Sequence, residues 1–245
     1  MFIAIPSYGR ALTCKNKTIR TLDKMGIDKN IITIYVVEEQ SEEYHQLMPD
    51  YNIAIGVKGI VSQRQFILEQ YPKGTHLVYM DDDLDEIDLS MSPYSNLLSF
   101  LEDAFIKSVE QGAYLWGVYA VYNPFFRKAR TDISTCLNFC IGCLYGIITR
   151  PNNHNLDITI SKQEKEDVER SLRYFIEDGI VLRFNKISFK TKFFGKGGIG
   201  EKKERKEISN IEAHKLAEAF PQYGKIKIRK NGFTEFNLKK LTKRI

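Results

Sequence analysis

Cysteine is scarce: four residues in 245, at positions 14, 136, 140 and 143. So few, so unevenly placed, do not make the disulfide framework of a secreted domain, and a reducing compartment, the cytoplasm, is expected. Long apolar runs are lacking too; none approaches the roughly 18 residues of a membrane span. The opening Met1-Phe2-Ile3-Ala4-Ile5-Pro6 is too short for a signal peptide and has no positive flank. It reads as a buried strand stopped by Pro6. Internal repeats are absent, and the composition excludes fibrous and collagen-like classes. What is present is 43% hydrophobic, 12% aromatic and 27% charged, an ordinary globular mixture long enough to bury a substantial core.

The net charge of +5 averages two unlike regions. Residues 183–245 carry 18 basic and 6 acidic residues, a net of +12, whereas residues 1–182 carry 18 and 25, a net of −7. Such asymmetry suggests a basic region that meets something anionic.

The first half alternates strand and helix signals. Strands are expected at 2–5, 31–37, 53–55 and 75–80, and helices at 13–25, ending at Gly26, and at 59–71, stopped by Pro72. This spacing implies a mostly parallel sheet with helices on both faces. Further on, a helix is expected at 95–110 and strand-like stretches near 114–121 and 136–148. Ser161-x-x-Glu164 reads as a capping box opening a helix to about Glu177. Strands at 180–194, a glycine-rich loop at 195–200, a helix near 209–219 and a hairpin at 225–238 turned by Asn231-Gly232 complete the reading.

Asp81-Asp82-Asp83 follows the apolar strand 75–80 directly. In an open α/β sheet ligands bind outside the carboxyl ends of the strands. Adjacent carboxylates there repel one another and need a cation or solvent. On an extended backbone Asp81 and Asp83 face one way, offering two hard oxygens to Mg²⁺ or Mn²⁺. The alternative is a solvated acidic loop that Asp85, Glu86 and Asp88 merely extend. On the helix from Gly59, Ile60, Arg64 and Ile67 share a face. An arginine there requires an anionic partner, either a diphosphate or an Asp of the triplet, or else forms a purely structural ion pair.

Pro6-Ser7-Tyr8-x-Arg10 after the first strand, Glu38 after the second, and Lys58-Gly59-Ile60-Val61-Ser62-Gln63-Arg64 before Asp81-Asp82-Asp83 resemble a nucleotide-sugar glycosyltransferase of the GT-A fold. The resemblance covers residues 1–90 in order and spacing. It implies an α/β, Rossmann-like GT-A domain at 1–194, with a donor half to about 90 and an acceptor half beyond, and a small basic extension at 195–245. It further implies that Pro6, Ser7, Tyr8, Arg10 and Glu38 hold the nucleotide base, with Lys58 and Arg64 at the donor. Asp81, Asp82 and Asp83 would hold ribose and Mn²⁺ or Mg²⁺, with Asp81 and Asp83 on the metal. Glu166-Asp167 resembles the element that supplies the general base in inverting members, which makes Asp167 the base and Glu166 the runner-up. Without the resemblance, two acids in a helix's first turns are also explained by the helix dipole.

Cys136-x₃-Cys140-x₂-Cys143 matches the spacing of a radical-enzyme iron–sulfur cluster, but its apolar surroundings read as small buried hydrophobes. The four histidines have no ligand spacing; His214 is either a third metal ligand or a surface residue. Lys186, Lys190 and Lys192 alternate along one strand face, and Lys196, Lys202, Lys203 and Arg205 follow. Bunched basic residues are the footprint of a nucleic-acid backbone, an anionic surface or a solvated face. Together with the Phe194–Gly198 loop they resemble phage DNA hydroxymethylpyrimidine glycosyltransferases of the TET-associated type. That implies a UDP-sugar donor, UDP-glucose, and DNA carrying a 5-hydroxymethyl pyrimidine as acceptor, in the host cytoplasm if phage-encoded. The rivals are a GT-A enzyme acting on a polysaccharide, lipid or protein, and a non-catalytic nucleic-acid-binding module.

Overall fold

The computed structural model describes residues 1–192 and 202–242, with side chains of the second segment from Glu204 onward. The glycine loop with Lys196, and the side chains of Lys202 and Lys203, therefore lie outside the described residues. Strands β1 (Phe2–Pro6), β2 (Ile32–Val36), β3 (Asn52–Ile55) and β4 (His76–Met80) pair in parallel, in the order β3-β2-β1-β4. After β5 (Leu84–Asp88), the sheet continues through β6 (Leu115–Val118), β7 (Ile133–Ser134), β8 (Leu144–Ile148) and β9 (Leu182–Phe184). The full order is β3-β2-β1-β4-β8-β6-β9-β7. Strands β4 and β6 both run antiparallel to β8, and β9 runs parallel to β6. The carboxyl ends of β1, β2, β4, β6 and β9 therefore share one edge.

Helices α1 (Ala11–Cys14) and α2 (Arg20–Lys24) are joined by a π turn at Lys15–Ile19, and Gly26, at φ +71°, follows the end of α2. The chain also forms α3 (Ser41–Leu47), α4 (Ile60–Glu69), α5 (Leu97–Gln111), α6 (Phe125–Lys128), α7 (Glu166–Asp178) and α8 (Lys202–Ala219). One sheet face buries Ile3, Ile5, Phe100, Phe105, Trp116 and Phe184. The other buries Ala4, Tyr79 and Tyr145 against Val168, Leu172 and Phe175 of α7, as its periodicity predicts. Trp116 lies flat on Gly146 of the neighbouring strand, where any Cβ would overlap the indole.

The acidic stretch after Asp83 is a strand, not a loop. β5 pairs antiparallel with β10 (Ser188–Thr191), setting Lys190 opposite Glu86. The strand expected over 136–148 narrows to β8. Lys186 leaves the basic face anticipated for it: it precedes β10 and donates to the carbonyls of Arg127 (3.2 Å) and Lys128 (2.9 Å). Hairpin β11 (Gly224–Ile228) and β12 (Thr234–Leu238) turns through residues 229–233, with Gly232 at φ +79°. Ala213, Leu216, Tyr223 and Phe236 of this last segment join the cluster beneath α7.

The capping box does not form. Helix α7 starts at Glu166 with Lys165 at its N-cap and no side-chain cap, and the Ser161 hydroxyl is buried without a partner. Two glutamates from helices supply the acceptors instead. Glu169 accepts from the amides of Thr159, Ile160 and Ser161 at 2.7–3.2 Å. Glu212 of α8 accepts from Lys162 (2.7 Å), Gln163 (3.0 Å), Glu164 (2.9 Å) and Lys165 (2.9 Å). Amide-to-carboxylate bonds are the strong kind, and four partly buried donors depend on one side chain. Glu212→Ala is expected to lower the unfolding free energy by about 3 kcal/mol and Glu212→Gln by less, read as denaturant midpoints. An unchanged midpoint in the alanine variant would remove the clamp.

Candidate functional site

At the shared strand edge opens a cleft of about 600 Å³. Its wall is built in chain order from Pro6, Ser7, Tyr8 and Arg10 after β1, Val37 after β2, and Val57, Lys58 and Gly59 before α4. Arg64 and Gln63 rise from α4, Asp81 and Asp83 from the end of β4, and Gly142 and Cys143 from the entry to β8. Glu166 and Asp167 face it from α7, Thr191 and Lys192 from β10 and just after it, and Arg205 from α8.

The acidic triplet turns sharply at residues 82–83, yet Asp81 and Asp83 both reach the cleft. Thr18, placed by the π turn, holds this turn: its hydroxyl donates to the Asp81 carbonyl (2.7 Å) and accepts from the Leu84 amide (2.9 Å). π turns of this kind recur at functional sites. Asp82 is fully buried beneath the cleft, paired with Arg10 and accepting from Ser7 Oγ at 2.5 Å. Burial pushes its carboxyl up to about 7 against the pull of Arg10. The expected donor contact at Asp82 thus gives way to a strut that aims Arg10 and Ser7. Arg10 also reaches Asp83 (3.2 Å), and Thr191 Oγ1 donates to Asp83 Oδ1 (3.0 Å).

Arg64 is buried and pairs with acids of the chain itself. It donates to Asp81 Oδ1 (2.8 Å), the Gly142 carbonyl (2.8 Å) and Glu166. Glu166 is also paired with Arg170 at 2.5 Å. Burial alone would raise the Glu166 carboxyl, but Arg170 and Arg64 outweigh it and hold it below its ordinary value. Among the described residues Asp167 has no such arginine pair. It accepts from the Gly142 amide (3.3 Å) and the Val168 amide (2.9 Å), and burial, then the neighbouring Glu166 charge, pushes it up to about 6. The two acids are thereby separated in character: Glu166 is a fixed anion and Asp167 is free to exchange a proton near neutrality. No side chain fits at Gly142, where a Cβ would lie 2.8 Å from both Arg64 Nη1 and Glu166 Oε1.

Not every expected residue joins this group. Glu38 is exposed at the first position of a 3-10 turn, one residue beyond the cleft wall. His214 is exposed on α8 and is not part of the wall. Among the described residues no three His, Cys, Asp or Glu side chains cluster as metal ligands. Cys140 and Cys143 are buried, and burial pushes both thiols up. Lys192 and Arg205 line the cleft, Arg205 donating to Glu164 Oε1 at 2.6 Å, while Lys190 is exposed beside the Tyr122 ring. The sequence reading missed Gln63, Gly142, Lys162 to Glu164 and Thr191. Only Thr191, between two noted lysines, carried a local signal.

Among the described residues no helix is long and apolar enough to cross a membrane. Solved structures similar to this chain include S. aureus TarS 1-349, with a TM-score of 0.55 and 12% identity over 89% of this chain. The mannosyltransferase PcManGT of Pyrobaculum calidifontis, solved with GDP-Man and Mn²⁺, gives 0.56 and 13% over 90%. GalNAc-T7 with UDP, GalNAc and Mn²⁺ gives 0.51 and 13% over 77%. The chain spans 66%, 64% and 43% of those proteins, and at such identities the likeness is one of fold, the GT-A fold. A comparison with curated protein sequences finds no match. The sequence itself matches a glycosyltransferase family over residues 1–198, and with that match the chain belongs to the TET-Associated Glycosyltransferase family.

Proposed function

We propose that this chain is a metal-dependent inverting glycosyltransferase that moves a hexose, glucose, from a UDP-sugar to a 5-hydroxymethyl pyrimidine in DNA, in the cytoplasm. The observation that carries this reading is the meeting of Asp81, Asp83, the start of α4 and Asp167 around one cleft. Family membership supports a sugar transfer, the family's TET association supports a modified-DNA acceptor, and the nucleotides bound in TarS, PcManGT and GalNAc-T7 support a nucleotide-sugar donor. The +12 region following α7 favours an anionic acceptor over a neutral glycan.

The donor's diphosphate would lie over Gly59 and Ile60, where the start of α4 lines the cleft, with Lys58 beside them. Tyr8, partly exposed and 5.4 Å from Lys58 Nζ, would stack on the base, with Glu38 at the mouth. Asp81 and Asp83 provide hard carboxylate oxygens that fit Mn²⁺ or Mg²⁺, whose other positions are ordinarily completed by phosphate oxygens and water. Such an ion offsets charge on a departing diphosphate. Asp167 takes the proton from the acceptor hydroxyl as that oxygen attacks the anomeric carbon from the face opposite the diphosphate. The Gly142 and Val168 amides hold its carboxylate in place, and Arg64 and Arg170 keep Glu166 from competing for the proton.

The decisive measurement is UDP release from UDP-glucose with hydroxymethylated against unmodified DNA. Release stimulated by the former alone is expected; equal release would defeat the DNA acceptor. Asp167→Asn should reduce transfer by about 10³-fold while UDP still binds. Because Asp167 works only when ionised and its carboxyl sits at about 6, wild-type kcat/KM should fall as pH drops through about 6. A flat profile down to acid pH would refute its role as base. UDP with Mn²⁺ should raise Tm by about 5 °C, and Asp83→Asn should abolish the Mn²⁺-dependent part. Equal shifts in both proteins would remove Asp83 from the metal.

A further inference from the structure

The strand edge carries a second constellation, on the side of β6 and β9, that the proposed chemistry leaves unused. Helix α6 presents Phe125 and Phe126 to solvent, 78% and 53% exposed, with ring centroids 5.3 Å apart and nearly perpendicular. Adjacent large aromatics left in water mark an interaction site rather than a packing accident. Their backbone is firmly held. Arg127, fully buried, pairs with Asp88 and donates to the carbonyls of Lys186 (2.8 Å) and Tyr122 (2.9 Å).

Next to them two arginines converge on one ring. Arg130 and Arg183 lie 4.5 and 5.2 Å from the centroid of Tyr119. Arg130 Nε donates to the Phe126 carbonyl (3.0 Å), and Arg183 Nε to Asn185 Oδ1 (2.9 Å). Asn185 is tied in turn to Thr131 and Ser134, so both guanidiniums belong to one rigid unit. Among the described residues neither makes an ion pair, although the exposed acids Glu86 and Asp132 are on nearby segments. Burial lowers Arg183 and the Arg130 charge lowers it further, so an incoming anion would relieve both. Lys190, 5.9 Å from the Tyr122 ring, connects this surface to the cleft, since Thr191 and Lys192 already line it. Lys190 to Lys192 is about 7 Å along the chain.

We propose that this surface receives the DNA strand flanking the acceptor nucleotide, with Phe125 and Phe126 wedged against the neighbouring bases and Arg130 and Arg183 on a backbone phosphate. An acidic peptide would satisfy the arginines but leave the phenylalanines idle; a polyanion with π faces engages both. A wedge also offsets the cost of extruding the target base from a duplex. The proposal rests on the DNA reading above.

Two double variants test it: Phe125→Ala with Phe126→Ala, and Arg130→Gln with Arg183→Gln. DNA-independent UDP release and Tm report intact donor sites and folding. The phenylalanine variant should lose about tenfold in transfer to hydroxymethylated duplex, and clearly less on the same bases in single strand. The arginine variant should weaken both substrates and lower the salt slope of DNA binding by about one. Wild-type Kd, transfer and slope in folded variants would overturn this surface while leaving the DNA reading standing. A wild-type protein that neither binds nor modifies DNA, or that modifies a protein or glycan instead, would overturn both.

Discussion

Arg64 carries its charge into a site only 8% exposed, and the geometry of the cleft follows from how that charge is neutralised. Its fork reaches Asp81 at the end of β4, the Gly142 carbonyl at the entry to β8, and Glu166 at the start of α7. Three segments, the farthest of them 102 residues from Arg64 in sequence, are thereby fixed to one planar group. Removing one partner of such a pair typically costs about 3–5 kcal/mol, because the other charge is left buried and uncompensated. The ends of β4, β8 and α7 are therefore mechanically one object at the cleft. Asp167 inherits its position from this arrangement, as the residue after Glu166 and the acceptor of the Gly142 amide.

The charge asymmetry of the sequence takes on a finer structure in three dimensions. Within the acidic region, each acid near the cleft has a different surrounding. Asp82 is sealed under Arg10, Glu166 is clamped between two arginines, Asp83 is held by Arg10 and Thr191, and Asp167 accepts from two backbone amides. Identical functional groups thus acquire unlike proton affinities from their neighbours alone. The basic region is also less uniform than its count suggests, since Lys186 and Arg205 already spend donors on the protein itself.

Local signals revealed much of the fold. The β-branched run 31–37, the apolar 75–80 and the glycine and proline stops around α4 fixed four parallel strands and the acidic edge, because period and punctuation are properties of neighbouring residues. Leu84–Asp88 was illegible for the opposite reason: five residues with three acids become a strand only because β10, a hundred residues later, pairs with them. Ser161-x-x-Glu164 misled in the same way. Its amides could have been satisfied locally, but two distant glutamates took them first. The importance of Gly142 was hidden inside an apolar run, since nothing local says that a buried arginine passes within van der Waals reach of its Cα. Likewise the π turn that seats Thr18 against the acidic turn has no signature in the helical periodicity of 11–24.

The glutamate on α8 gives the molecule a boundary that its catalytic signature does not share. The family match ends at residue 198, while Glu212, which fills the amide cradle leading into α7, lies beyond it. The cradle is an anion site already occupied by the protein's own carboxylate. Through that one carboxylate the last segment acts as an internal ligand for the entry to α7.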